Sequence, residues 1–278
     1  MTRIYDCTSD STTDESTTSE NYGAHIALAR AAIGRGELVV IPTDTVYGIA
    51  ADAFNAEAVQ LLLDAKGRSR QSPPPVLIPS IPTLDALAVD VPQPVRDLVA
   101  AFWPGGLTVI VNAQPSLVWD LGETRGTVAL RMPSNQVALD LLAETGPLAV
   151  SSANLSGMPA TTDAQAAEAA LAESVDVYLD GGTTGSTYES VFGQTGEGSS
   201  TIVDATGFET NGGFLYIVRD GVISREAIVA VVGDVLAAAP TVPGVQELSA
   251  EADATPTIAA PSQEDRTNET LDETDASR

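Results

Sequence analysis

Cysteine occurs once in the 278-residue chain, at Cys7, and histidine once, at His25. One cysteine excludes an internal disulfide, in keeping with a reducing compartment. With no cysteine in the domain and a single histidine in a predicted helix, a zinc site is excluded in practice and a Ser-His-Asp triad or His-rich metal site is not expected. No run of 18 or more apolar residues is present, so no ordinary membrane-spanning helix is expected. The N-terminus lacks the basic start and apolar stretch of a signal peptide. The expected location is therefore the cytoplasm. Neither GxxxxGK[ST] nor a GxGxxG turn after the first strand is found, which removes the common phosphate and dinucleotide fingerprints. Basic residues are scarce: 13 Lys and Arg stand against 38 Asp and Glu, with a net charge of −25 and a pI near 4.1. A nucleic-acid backbone is held by a field of Lys and Arg. Broad nucleic-acid binding is thus not expected, while a local basic pocket for a small polyanion remains open. Lys66 is the only lysine, against twelve arginines, and it sits within Lys66-Gly67-Arg68.

What is present divides into three parts. Residues 1–21 and 240–278 are acidic and rich in Ser, Thr and Asp or Glu, and carry −4 and −7 of the net charge. Neither has apolar residues at a regular period, so both are expected to be disordered tails, Cys7 included. The 218 residues from 22 to 239 keep −14 and form the expected single globular domain. Within it the periodicity predicts helices over 21–36, 55–66, 94–102, 134–143, 163–173 and 224–238, with Asn55 and Ser224 as caps. Strands are predicted over 37–41, 75–78, 107–112, 127–131, 148–150, 175–179, 201–204 and 215–218. Residues 180–199, mostly Gly, Ser and Thr, read as a mobile loop. Strands and helices alternate without a strict βαβ repeat. The expected fold is α/β, a mixed, twisted open sheet with flanking helices in one domain.

Four polar stretches lie beside apolar strands, where open α/β sheets keep ligands. Pro42-Thr43-Asp44-Thr45-Val46-Tyr47-Gly48 is either a turn with ordinary Asx and Thr bonds or a ligand loop. Lys66-Gly67-Arg68 ends a helix, where cations complement the dipole; equally, Lys as point charge and Arg as planar fork make a phosphate clamp. Ser151-Ser152-Ala153-Asn154 is either a capped turn or a cradle for phosphate oxygens. Arg131, Ser200 and Arg219 fall at strand ends; they serve either as surface ion-pair partners or as anion ligands.

PTDTVYGIAADAFN, AKGR, FWPGGLTVIV, TVALRMP, GPLAVSSANLSG, STIVD and IVRDG occur in that order. The ordered set resembles the YrdC-like threonylcarbamoyl-AMP synthase family over residues 24–226. The resemblance implies the reaction of L-threonine, bicarbonate and ATP to threonylcarbamoyl-AMP and pyrophosphate. That product feeds tRNA threonylcarbamoyladenosine formation through a separate transferase complex. It implies Thr45, Arg131 and Ser200 as the threonine site, and Lys66, Arg68, Thr127, Ser152, Asn154 and Arg219 as the ATP site, with Lys66 and Arg68 central to catalysis. ATP is then a substrate, entering with Mg²⁺ on its phosphates; no protein metal site and no tightly bound organic cofactor are implied. The sequence departs from the family at KGRSRQSPPPVLIPS, where Ser69 follows Arg68, the segment is about two residues longer than usual, and a histidine that normally follows is missing. Residues 240–278 replace the second domain of longer members, which makes this the single-domain type. The alternatives are a nucleotide-binding paralogue of other activity and a non-enzymatic RNA-binding module.

Overall fold

A computed structural model describes residues 3–8, 15–188 and 198–237. In chain order these form β1 (Ile4–Asp6), α1 (Glu15–Gly34), β2 (Val39–Ile41), β3 (Gly48–Asp52), α2 (Ala56–Lys66), β4 (Val76–Leu77), α3 (Ile81–Leu87), α4 (Gln93–Phe102), β5 (Leu107–Asn112), β6 (Thr127–Arg131), α5 (Gln136–Thr145), β7 (Leu148–Ser152), α6 (Ala164–Leu171), β8 (Val177–Asp180), β9 (Thr201–Asp204), β10 (Leu215–Arg219), α7 (Arg225–Val232) and β11 (Leu236–Ala237).

Helix starts follow the capping residues. Asn55 accepts from the Glu57 and Ala58 amides, Asn135 from Val137 and Ala138, Asp163 from Ala166, and Ser224 from Ala227. At the end of α2, Gly67 takes φ +65 while the Gly67 and Arg68 amides return to Asp64 O and Leu63 O. This left-handed turn stops the helix immediately after Lys66 and sends Arg68 off in a new direction.

The strands join into one sheet in the order β1-β8-β2-β3-β7-β4-β6-β5-β9-β10-β11. It is mixed: β2–β3, β3–β7, β4–β7, β5–β6 and β9–β10 are antiparallel, the other neighbours parallel. Period-two alternation decides what each face meets. Val39, Ile41, Ala50, Leu148 and Val150 face α1 and α5, while Val40, Ile49 and Ala51 face α2 and α6. In β5 and β6, Leu107, Val109, Val111, Val128 and Leu130 point into the third core cluster with Val95, Leu98 and Ile228. Thr108, Thr127, Ala129 and Arg131 therefore share the opposite face, where Thr127 and Ala129 are only half-buried. By register this is the face that α1 and α5 cover farther along the sheet. Here it is left to loops, and this is where Thr108 and Arg131 lie.

Three regions differ from the sequence expectation. Ile4–Asp6 is not outside the domain: it pairs in parallel with β8, Arg3 donates to Ala172 O and Val175 O, and Cys7 is buried with its amide on Asp180 O. All these partners lie about 170 residues away in sequence, so no local pattern reveals them. Helix α1 likewise begins at Glu15, inside the stretch assigned to the tail. The loop expected at 180–199 is anchored in its first half, through Tyr47 Oη donating to Gly182 O at 2.7 Å and a short turn at Ser186–Tyr188. Its residues 189–197, and the tail 240–278, lie outside the described residues. The last helix stops at Val232 because Gly233 adopts φ +58; the chain then adds β11 beside β10. The sequence reading also missed β3 and α3.

Candidate active site

One end of the site is built on Arg131. Arg131 is only 6% exposed. Nε donates to Gly105 O at 2.9 Å and Nη1 to Thr45 Oγ1 at 3.0 Å. Nη2 lies 2.8 Å from Asp44 Oδ1, an ion pair, but the approach is too oblique for a hydrogen bond. Nη2 is thus charge-compensated while having no hydrogen-bond partner among the described residues. Each Asp44 oxygen also accepts a hydrogen bond, Oδ1 from the Ser134 amide at 2.9 Å and Oδ2 from the Tyr188 hydroxyl. Burial pushes the Asp44 carboxyl up, and Arg131, Tyr188 and the Ser134 amide together outweigh it and hold the group below its usual value. Burial and the neighbouring carboxylate push Tyr188 upward, so its proton stays on the phenol. Thr45 is oriented by its own turn, where Thr43 Oγ1 accepts from the Thr45 and Val46 amides and donates to Val46 O.

Beside this group, Ser200 Oγ lies 2.8 Å from Thr108 Oγ1. Arg219, at the end of β10, donates through Nε and Nη2 to Ser200 O and through Nη2 to Ser200 Oγ. The tight crossing of the two chain segments depends on Gly221, where a Cβ would fall 2.4 Å from the Thr201 amide.

The other end is built on Lys66, 1% exposed. Its ammonium donates to the carbonyls of Ser152 and Asn154, the latter at 2.6 Å, with Ser152 Oγ at 3.5 Å and Asn154 Oδ1 at 3.4 Å. Arg68 Nη1 donates to Ser151 Oγ at 3.1 Å. The Asn154 amide holds the following loop through Leu155 O and Met158 O, and Ser156 N returns to Lys66 O. Among the described residues no carboxylate forms an ion pair with Lys66, Arg68 or Arg219. Burial first, and repulsion from Arg68 second, bring Lys66 down to about 7. Burial likewise lowers Arg68. Arg219 falls to about 10 through burial of its guanidinium and repulsion from both Arg131 and Arg68. The side chain of Arg219 as a whole is exposed, so the site opens to solvent there. Arg219 feels the charge of both Arg131 and Arg68, so it stands within electrostatic reach of both ends. These cations stand together in a chain of net charge −25.

The residues expected from the sequence therefore assemble in two groups: Thr45, Arg131, Ser200 and Arg219, then Lys66, Arg68, Ser152 and Asn154. Thr127 lies apart. It shares a sheet face with Arg131 but sits four residues away, about 13 Å along the strand, with its hydroxyl on Thr124 O at 2.8 Å. The register through β4 puts it at the same sheet end as Ser152, two strands or about 10 Å across. Asp44, Thr108 and Tyr188 were missed as site residues. Asp44 lay within a stretch already singled out; Tyr188 was signalled only as an aromatic in a Gly-, Ser- and Thr-rich tract. The lengthened segment after Arg68 is tied down, with the Glu123 amide on Arg70 O and Arg70 on Asp120. His25 belongs to α1, with Nδ1 2.9 Å from Asp6 O, away from these groups. Among the described residues no group of three or more His, Cys, Asp or Glu is placed to hold a metal, and no helix is long and apolar enough to cross a membrane.

Comparison with known proteins places this geometry in context. A Mycobacterium tuberculosis protein provisionally named threonylcarbamoyl-AMP synthase is 45% identical over 233 residues, covering 84% of this chain and 96% of its own. Threonylcarbamoyl-AMP synthase of Bacillus subtilis is 36% identical over 226 residues, 80% of this chain and 60% of its own. The crystal structure of Pyrococcus abyssi Sua5 complexed with L-threonine superposes with a TM-score of 0.66 at 32% identity, over 76% of this chain and 58% of that one. Escherichia coli YciO, at 20% identity and TM-score 0.65, shares the fold. Residues 31–211 match the Sua5/YciO/YrdC family, which is described under telomere recombination, and on this match the chain belongs to that family.

Proposed function

We propose that the chain is an L-threonylcarbamoyladenylate synthase acting in tRNA threonylcarbamoyladenosine formation. The observation that carries this reading is that two unlike cationic groups, one on Arg131 and one on Lys66 and Arg68, are linked through Arg219, which feels the charge of both. Arg131 keeps one donor without a hydrogen bond, suited to a single carboxylate; Lys66 and Arg68, with Arg219 between the two ends, have no carboxylate partner among the described residues, which suits a polyphosphate. An amino acid and a nucleoside triphosphate satisfy the two together.

In this reading Arg131 takes the threonine carboxylate, and Thr45 and Ser200 hold its polar atoms. Lys66, Arg68, Ser152, Asn154 and Arg219 take ATP. Thr127, at the far end of β6, meets the nucleotide only at the part remote from threonine. The threonine amine adds to CO₂ from bicarbonate, forming a C–N bond and releasing water overall. A carbamate oxygen then attacks the α-phosphorus; the new O–P bond replaces the α–β phosphoanhydride bond, and pyrophosphate leaves. The chain supplies position and charge rather than a nucleophile. Lys66 and Arg68 stabilise negative charge on the α-phosphate and the departing pyrophosphate. Mg²⁺ enters on the ATP phosphates. The product passes to a separate threonylcarbamoyl transferase complex, in the cytoplasm.

Pyrophosphate release tests the reading: with bicarbonate and ATP it should require L-threonine and be weaker with L-serine. Release independent of threonine would favour a nucleotide-binding paralogue of other activity.

A further inference from the structure

The Arg131–Asp44 contact has an unusual geometry for two buried groups of opposite charge. A guanidinium and a carboxylate commonly close into a bidentate fork, two parallel N–H···O bonds. Here Nη2 lies 2.8 Å from Oδ1, and no hydrogen bond closes a fork between the two groups. On the arginine, Nε is held by Gly105 O and Nη1 by Thr45 Oγ1. On the carboxylate, Oδ1 is held by the Ser134 amide and Oδ2 by Tyr188. Three of these partners come from the loops that already form the site. The fourth, Tyr188, comes from the connection between β8 and β9, 144 residues from Asp44. Its ring lies against the turn that holds Arg131: a Cβ at Gly105 or Gly106 would meet the Tyr188 hydroxyl at 3.2 or 3.1 Å.

We infer that Tyr188 is a positioning residue for the amino-acid substrate: by holding Asp44 Oδ2 it keeps Asp44 from closing a fork on Arg131, and the buried Nη2 keeps a donor uncommitted that the entering substrate carboxylate can take. Asp44 then neutralises Arg131 without consuming its donor. The function of the site as a threonine site is taken from the reading above; the effect on Arg131 is not.

Tyr188→Phe keeps the ring and removes the hydroxyl. The KM for L-threonine should rise about tenfold, the scale of one charge-assisted hydrogen bond, with kcat at saturating threonine and the KM for ATP within about twofold. In an Asp44→Asn background the same change should have a much smaller effect, because a neutral amide competes weakly for Arg131. A purely structural role would instead move both KM values together and lower the melting temperature. The crystal structure of Tyr188→Phe without substrate should show Asp44 and Arg131 in a bidentate fork. A retained single-oxygen contact there overturns the inference whatever the substrate is. Threonine-dependent turnover with an unaltered threonine KM also overturns it. If wild-type turnover ignores threonine, the functional reading fails, and the crystal geometry still decides the role of Tyr188.

Discussion

Arg131 and Lys66 are both buried cations, 6% and 1% exposed, and the protein treats them in opposite ways. Arg131 has a buried carboxylate beside it, itself fixed by an amide and a phenol. Lys66 has two backbone carbonyls and, among the described residues, no carboxylate partner; its nearest named charge is the like-signed Arg68. The paired end is preorganised and stable before substrate arrives. At the unpaired end Arg68 repels both Lys66 and Arg219, a repulsion that a polyanion relieves. A ligand with one negative charge suits the first, a ligand with several the second. Function and stability should therefore respond differently to substitutions at the two ends.

The largest expected effect is on turnover at the unpaired end. Lys66→Ala and Arg68→Ala should each lower pyrophosphate release by roughly 10²–10³-fold or more, with circular dichroism and melting behaviour close to wild type. Activity retained in either variant would remove the phosphate-clamp role.

Stability should show the reverse ranking. Asp44→Ala leaves the Arg131 guanidinium buried without its partner and should cost about 3–5 kcal/mol in urea unfolding. Lys66→Met removes a cation whose burial is already unfavourable, and its stability should fall within about 1 kcal/mol of wild type. Equal losses for the two variants would erase the contrast.

The pH dependence distinguishes the ends further. With its pKa at about 7, Lys66 is charged below that value and loses its charge as pH rises through it. ATP affinity should thus fall between pH 7 and 9, by at most about tenfold per pH unit. ATP binding should take up close to one proton near pH 7.5, seen by calorimetry in buffers of different ionisation enthalpy. For stability the sign is opposite to that of a gained ion pair. The folded pKa lies below the unfolded value of 10.5, so Lys66 opposes folding at neutral pH, and this cost is relieved as pH rises from 7 toward 10.5.

The smallest effect is at Thr45, one neutral hydroxyl on Arg131. Thr45→Val should raise the threonine KM about three- to tenfold, the scale of a single hydrogen bond, and leave the ATP KM near its wild-type value.

Most of the sheet was legible because its strands are apolar runs bounded by turn residues. Leu107–Asn112, Thr127–Arg131 and Thr201–Asp204 were predicted at their observed bounds. Asn55 marked the start of α2 because its capping bonds are local. Gly48–Asp52, with Gly and Ala at three of five positions, lacks a strand signature; its state is set by pairing with β2 and β7. Ile4–Asp6 depends on β8 in the same way. The site shows the same division. Lys66, Arg68, Ser152 and Asn154 were found because they lie in compact motifs, and the structure brings them together. Tyr188 and Thr108 act through partners 144 and 92 residues away, Asp44 and Ser200, and no spacing in the sequence marks them.

The central claim is that one site joins a carbamoylated amino acid to a nucleotide. Incubating the full chain with ATP, L-threonine and ¹³C-bicarbonate, and analysing the nucleotide fraction by mass spectrometry, tests it most directly. The account predicts threonylcarbamoyl-AMP carrying one ¹³C, together with pyrophosphate. Pyrophosphate with unlabelled AMP alone, or no threonine in the nucleotide product, would contradict it.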